Sequence, residues 1–226
     1  SEAMVDQRLA DVNFNAFGVS VGFYPVFPEN HLVLIARSET TEAARENLSR
    51  AVAEVTSRLA DCIFSYGEQT LEEIIAAALA EKKLTIAVAE SCTGGLIANR
   101  LTDVSGSSVY FDRGFVTYSN EAKIRELGVP SEIIEKHGAV SEETAQRMAE
   151  GVRRVAGTDL GLSSTGIAGP TGGTKEKPVG TVYIALADAG RTICRHYAFR
   201  WDRKRNKLLS SEAALMMLRT YLQEKK

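Results

Sequence analysis

Apolar positions along this chain switch between strand-like and helical periods, and a break at Gly67 divides it into two units. From Asn13 to Tyr66, two short apolar runs, GVSVGFYPV and HLVLIARS, read as strands. The next segment places Ala44, Leu48, Val52, Val55 and Leu59 three and four residues apart, the spacing that keeps one helical face apolar. Thr40 or Thr41 stands where that helix needs a side-chain acceptor for its first amides. Gly67 interrupts the pattern. Thr70 then caps another predicted helix, with Leu71, Ile74, Ile75, Ala78 and Leu79 on one face and Lys82 and Lys83 at the end where the helix dipole favours cations. The reading is a small α+β unit over residues 1–67, too small to be comfortable alone, followed by a larger unit over 68–226. Ser1 to Ala3, ahead of Met4, read as an expression remnant.

In the larger unit, short apolar runs alternate with helical periods. LTIAVA (84–89), GFVTY (114–118) and DLGLSS (159–164) are separated by helical patterns, which predicts parallel strands joined by crossover helices. GTVYIALA (180–187) and TICRHYAF (192–199) are separated by DAGR, a hairpin signal, so they are expected to be antiparallel. The fold class is therefore α/β, a three-layer αβα domain with a mixed sheet. Ser141 opens a helix with Ala145, Met148, Ala149, Val152 and Ala156 on one face. Its capping box is incomplete because Thr144 occupies the position for Glu or Gln.

Composition narrows the function classes. With 226 residues, 44% of them hydrophobic and 25% charged, the chain is an ordinary globular protein able to bury a core. A net charge of -2 gives no basic face for nucleic acid, so none is expected as a partner. Cys62, Cys92 and Cys194 are far apart and form no CxxC pair, which argues against a disulfide framework or a zinc site. No run approaches the roughly 18–20 apolar residues of a membrane span, and the first residues lack a signal-peptide core. The expectation is a cytoplasmic protein without membrane contact, metal or cofactor.

Candidate chemistry collects where the three predicted parallel strands end, the edge at which open α/β sheets bind ligands. The first strand runs into Glu90-Ser91-Cys92-Thr93-Gly94-Gly95, the second into Tyr118-Ser119-Asn120 with Lys123 one turn further, and the third into the loop STGIAGPTGGTKEKPVG. A serine hydroxyl is a poor nucleophile until a base takes its proton, and a desolvated lysine can be that base. Ser91 and Lys123 are candidates for such a pair. His31, His137 and His196 touch none of these motifs, which disfavours a Ser-His-Asp triad. Cys92 is a rival nucleophile, although a lone cysteine is more commonly buried. Glu90 either orients the site or binds backbone amides. The N–H groups of Thr93 and Gly94 suit an oxyanion. Ser91 or Thr93 also fits as a plain helix cap, with Gly94 and Gly95 allowing close packing. The glycine-rich loop reads equally as an anion cradle or a flexible surface loop. RWDRKRNK (200–207) puts five cations at a helix start, where a bound phosphate offsets their unfavourable position. A solvated charge run with Asp202 as cap is the simpler alternative.

AESCTGGLIA, GFVTYSNEAKIRELGV, GAVSEETAQRMAEGV, STGIAGPTGGTKEKPVGTVYIA and FRWDR, in this order over residues 70–224, closely resemble the C-terminal domain of the CinA family, which also occurs alone as the PncC nicotinamide mononucleotide deamidases. Residues 13–66 resemble the KH-like segment that precedes this domain in full CinA proteins. Their larger N-terminal molybdopterin-binding-like domain, with any pyrophosphatase activity, has no counterpart in this sequence. The resemblance implies metal-independent hydrolysis of nicotinamide mononucleotide to nicotinic acid mononucleotide and ammonia, in a dimer or larger assembly. It implies Ser91 as nucleophile, Lys123 as base and Tyr118 as a nearby catalytic aid. Substrate contacts would come from Glu90, Thr93, Gly94 and Gly95, from Thr165, Gly166, Ala168, Gly169, Thr171, Gly172 and Gly173, and from Arg203. Two positions depart from the family pattern. Lys207 stands where a second arginine is expected, offering a point charge in place of a fork, and Val104-Ser105-Gly106 lacks the usual proline before glycine. Two other readings compete with hydrolysis. One is a nucleotide-binding regulatory module without turnover. The other is RNA binding, disfavoured by the lack of a basic GxxG loop in residues 13–66.

Overall fold

The computed structural model describes residues 2–225. The chain separates into two compact units, divided between Glu68 and Gln69.

In the first unit, α1 (Glu2–Leu9) precedes a hairpin of β1 (Val19–Val26) and β2 (Glu29–Ala36), followed by α2 (Thr41–Leu59). Thr40 caps α2 by accepting the Ala43 N–H at 3.1 Å. The core gathers Val5 and Leu9 of α1 with Val55 and Leu59 of α2, and Phe23, Leu32 and Leu34 of the hairpin pack against it. Within α2, Ala51 is buried while the larger Leu48 and Val52 of the sequence pattern are half-buried. The unit therefore begins before Asn13. Eight residues with two core positions leave too little periodicity to reveal α1 in the sequence. Of the presumed remnant, Glu2 and Ala3 belong to α1, and Ser1 lies outside the described residues.

The second unit runs α3 (Leu71–Lys82), β3 (Ile86–Glu90), α4 (Leu96–Thr102), β4 (Phe111–Val116), α5 (Asn120–Leu127), α6 (Ser131–His137), α7 (Glu142–Ala156), β5 (Leu160–Gly166), β6 (Thr181–Ala187), β7 (Thr192–Ala198) and α8 (Arg203–Glu224). Its sheet order is β4-β3-β5-β6-β7. The first three strands are parallel and the last two run antiparallel to their neighbours, so the fold is mixed α/β as the sequence pattern predicts. On one face Ala87 and Ala89 pack with Leu127, Val129, Ile134, Met148 and Val152 of the α5–α7 layer. On the other, Val88 and Ala98 of α4 close on Gly114, and α8 covers β5 and β6.

Local chemistry explains these contacts. Thr70 and Glu73 form a reciprocal capping box on α3. Ser141 caps α7, and Thr144, where that box is incomplete, instead donates its hydroxyl to Gly138 O at 2.8 Å. A Cβ at Gly161 would stand 2.2 Å from Ala149 O, so only glycine lets β5 approach α7 this closely. Arg100 of α4, only 8% exposed, pairs with Glu72 of α3 and Glu212 of α8 and donates to Ser211 Oγ at 3.0 Å. That single guanidinium ties three helices together.

The register then levels three strand ends. Glu90 lies opposite Val116 on β4 and Ser164 on β5, so Ser91, Thr117 and Thr165 stand side by side where the parallel ladder ends.

Candidate active site

Ser91 extends β3 by one ladder bond, its N–H donating to Ser164 O at 3.0 Å. Alternation along the strand puts its side chain on the same face as Ala87 and Ala89, toward α5. The chain then turns sharply through Gly94 and Gly95, whose φ angles of 63° and 95° strain any side-chain-bearing residue. Glu90, fully buried, holds that turn: one carboxylate oxygen accepts the N–H groups of Gly95 and Ile97 at 2.9 and 3.1 Å, the other that of Ala98 at 2.8 Å. Of its two sequence readings, Glu90 takes the structural one. Its carboxylate does not face the cleft, because the helix amides consume both oxygens.

Lys123 arrives from the first turn of α5, which Ser119 caps. It is 1% exposed, and Nζ donates to Thr117 O at 2.9 Å and Tyr118 O at 3.2 Å and lies 3.2 Å from Ser91 Oγ. Burial lowers its pKa to about 8. Two carbonyls occupy two of its hydrogens, which leaves the third direction for Ser91. Once the amine is neutral, its lone pair meets the serine hydroxyl. The neighbouring Cys92 is buried, and desolvation pushes its thiol up to about 12, so it stays protonated near neutrality.

Ser91 and Lys123 open into a cleft of about 180 Å3, which Tyr118, Thr165, Gly166, Ala168 and Arg203 also line. Arg203, at the start of α8, donates to Gly169 O at 2.8 Å and to the Tyr118 hydroxyl at 3.0 Å. Tyr118 is 60% exposed. Among the described residues, the N–H groups of Thr93, Gly94, Ala168 and Gly169 meet no acceptor; of these four residues only Ala168 lines the cleft, and Thr93 is fully buried. The Thr93 hydroxyl is spent on Ser164 Oγ at 2.7 Å, and Gly95 faces Val116. Thr171, Gly172 and Gly173 are exposed and lie outside the cleft lining. Their glycines serve the loop's own packing: a Cβ at Gly173 would stand 2.7 Å from Val179 N.

Several contributors escaped the sequence reading. Ala139 and Val140, between α6 and α7, complete the wall, and Thr165 Oγ1 anchors that segment by donating to Ala139 O at 2.7 Å. Asn206, fully buried, donates to Ala168 O at 3.0 Å and Trp201 O at 2.8 Å, pinning the glycine-rich loop to α8. A single amide inside RWDRKRNK was its only signal. Lys207 Nζ comes within 3.3 Å of where a Gly94 side chain would begin, so a cation from α8 overlies the Ser91 turn. Thr117 Oγ1 is buried without a partner among the described residues.

A larger hollow of about 320 Å3 lies between β7 and α8, lined by Arg191, Arg195, Cys194 and Tyr221. Burial, with the nearby Glu142 and Glu143 carboxylates, pushes its thiol, Cys194, up to about 12, so it stays protonated near neutrality and the smaller cleft is the candidate.

The profile of the CinA C-terminal domain matches residues 68–222, and that of the damage-inducible protein CinA KH domain matches residues 1–65. The chain belongs to the CinA family. A CinA-like protein of Syntrophus aciditrophicus is 61% identical over 98% of this chain and 53% of its own length. Another, from Dictyoglomus thermophilum, is 46% identical over 96% of this chain and 53% of its own. The chain thus spans about half the length of these CinA relatives. Among solved structures, the competence/damage inducible protein CihA from Agrobacterium tumefaciens is 39% identical with a TM-score of 0.65, over 71% of this chain and 99% of its own. The competence damage-inducible protein A from Klebsiella pneumoniae is 35% identical with a TM-score of 0.67, over 69% and 97%. No helix among the described residues is long and apolar enough to cross a membrane.

Proposed function

We propose that this chain hydrolyses the carboxamide of nicotinamide mononucleotide, releasing ammonia and nicotinic acid mononucleotide. The observation that carries the reading is the buried Lys123 Nζ at 3.2 Å from Ser91 Oγ, with a pKa lowered to about 8. Relative to an ordinary lysine near 10.4, that shift raises the neutral fraction at pH 7 roughly 200-fold. Neutral Lys123 takes the Ser91 proton as Oγ attacks the amide carbon. Of the turn amides after Ser91, the Gly94 N–H is both exposed and without an acceptor among the described residues, and it is the donor assigned to the resulting oxyanion. The Lys123 ammonium then protonates the leaving nitrogen, and ammonia departs from an acyl-serine ester. Water attacks that ester, gives its proton to Lys123, and the acid leaves as Ser91 Oγ is reprotonated.

The nucleotide identity rests on the family likeness, and the cationic rim supports it. Arg203 and the free amide of Ala168, which both line the cleft, are suited to a phosphate beside the reacting amide. The deciding experiment measures ammonia release from nicotinamide mononucleotide with EDTA present, wild type beside Ser91→Ala. Release by wild type alone is expected. Nucleotide binding without release would make the chain a regulatory module.

A further inference from the structure

The Tyr118 phenol is the part of the rim whose geometry disagrees with proton transfer. Lys123 touches this residue through its main-chain carbonyl, at 3.2 Å, and not through its hydroxyl. The hydroxyl instead accepts the Arg203 guanidinium at 3.0 Å, on a side chain that is 60% exposed. Arg203 has one further anchor, Gly169 O at 2.8 Å, so its planar fork is held between the phenol and the loop. An exposed arginine held this way has already lost the rotamer freedom that ligand binding would otherwise cost. Its remaining N–H donors stay available, because a guanidinium carries five.

We propose that Tyr118 is a positioning residue that holds the anion-binding guanidinium of Arg203 in place through its hydroxyl, while its carbonyl holds Lys123, and that its hydroxyl moves no proton in the reaction. One residue thereby fixes the spacing between the group that grips the phosphate and the group that activates Ser91. The inference rests on the amidohydrolase reading above and specifies how that site recognises its ligand.

The test is Tyr118→Phe, which keeps the backbone carbonyl and the ring and removes only the hydroxyl. With nicotinamide mononucleotide, KM is expected to rise about 3- to 10-fold, the usual cost of ordering one long side chain, while kcat falls less than 2-fold. With nicotinamide riboside, which has no phosphate for Arg203, kcat/KM is expected to change less than 2-fold. In an Arg203→Ala background, Tyr118→Phe should add nothing, since the group it positions is gone. A fall in kcat of roughly 100-fold or more at unchanged KM, in the range of lost acid–base catalysis, would overturn the proposal. So would full additivity with Arg203→Ala. If wild type binds but does not hydrolyse the nucleotide, the same cycle read on Kd decides the positioning role alone. A wild type that neither binds nor hydrolyses it sinks the parent reading and this one together.

Discussion

At Ser91 and Cys92 the chain sets two nucleophilic side chains next to each other, and their surroundings choose between them. Ser91 meets the Lys123 amine, whose pKa is lowered to about 8, whereas burial pushes the Cys92 thiol up to about 12. Ser91→Ala is therefore expected to reduce kcat by roughly a thousandfold or more. Cys92→Ala should keep substantial activity and lose about 1 kcal/mol of stability from the vacated volume. The reverse pattern in ammonia assays would move the nucleophile to the thiol. The pH dependence follows from the sign of the Lys123 shift. As the proposed base, Lys123 works only when neutral, so kcat/KM should climb about tenfold per unit below pH 8 and level off above it. A profile flat from pH 6 to 9 would remove Lys123 as base. The buried Thr117 hydroxyl carries a different expectation. It has no partner among the described residues, so Thr117→Val, of the same shape, should raise stability by about 1 kcal/mol in urea unfolding.

Among the elements, the turn from β3 into α4 depends on one carboxylate. Three backbone amides converge on Glu90, so Glu90→Gln turns an acceptor into a donor facing other donors. We expect a loss of about 2–4 kcal/mol and a matching drop in kcat as Ser91 loses its placement; unfolding and turnover of the same sample check both. This role was only half legible in the sequence, because the partners are amides five to eight residues ahead that meet the carboxylate only after the turn folds back. Strands β3 and β6 were legible from continuous apolar runs, which buried strands require, whereas β5 was marked only by Leu160 and Leu162 in a run of small residues. The cap residues Thr40, Thr70 and Ser141 were legible because capping is a local interaction. Thr171, Gly172 and Gly173 show the opposite case. A glycine-rich string signals close approach without saying to what, and here Gly173 approaches Val179 of its own loop. Ala139 and Val140 were invisible because nothing in their own chemistry marks a wall that topology alone brings to Ser91.

For the whole molecule, the candidate site draws every one of its residues from the second unit. That unit makes up about seven tenths of the chain, and the CihA structure matches 71% of this chain over 99% of its own length. Residues 69–226 produced alone are accordingly expected to unfold cooperatively and to keep kcat/KM within about 3-fold of the whole chain. A larger loss with a cooperative transition intact would assign the first unit a part in turnover. The Arg100 junction bears on how such a domain can change over generations. Replacing Arg100 alone strands two largely buried carboxylates, at about 3–5 kcal/mol, which is a large part of a small domain's margin, and replacing Glu72 or Glu212 alone leaves the guanidinium with one carboxylate in place of two. Apolar replacement of the whole group can be nearly neutral, but each single step toward it crosses a deficit. A lineage carrying this triad is thus held to it by the path rather than by the destination, and the positions of α3, α4 and α8 beneath Ser91 are inherited together.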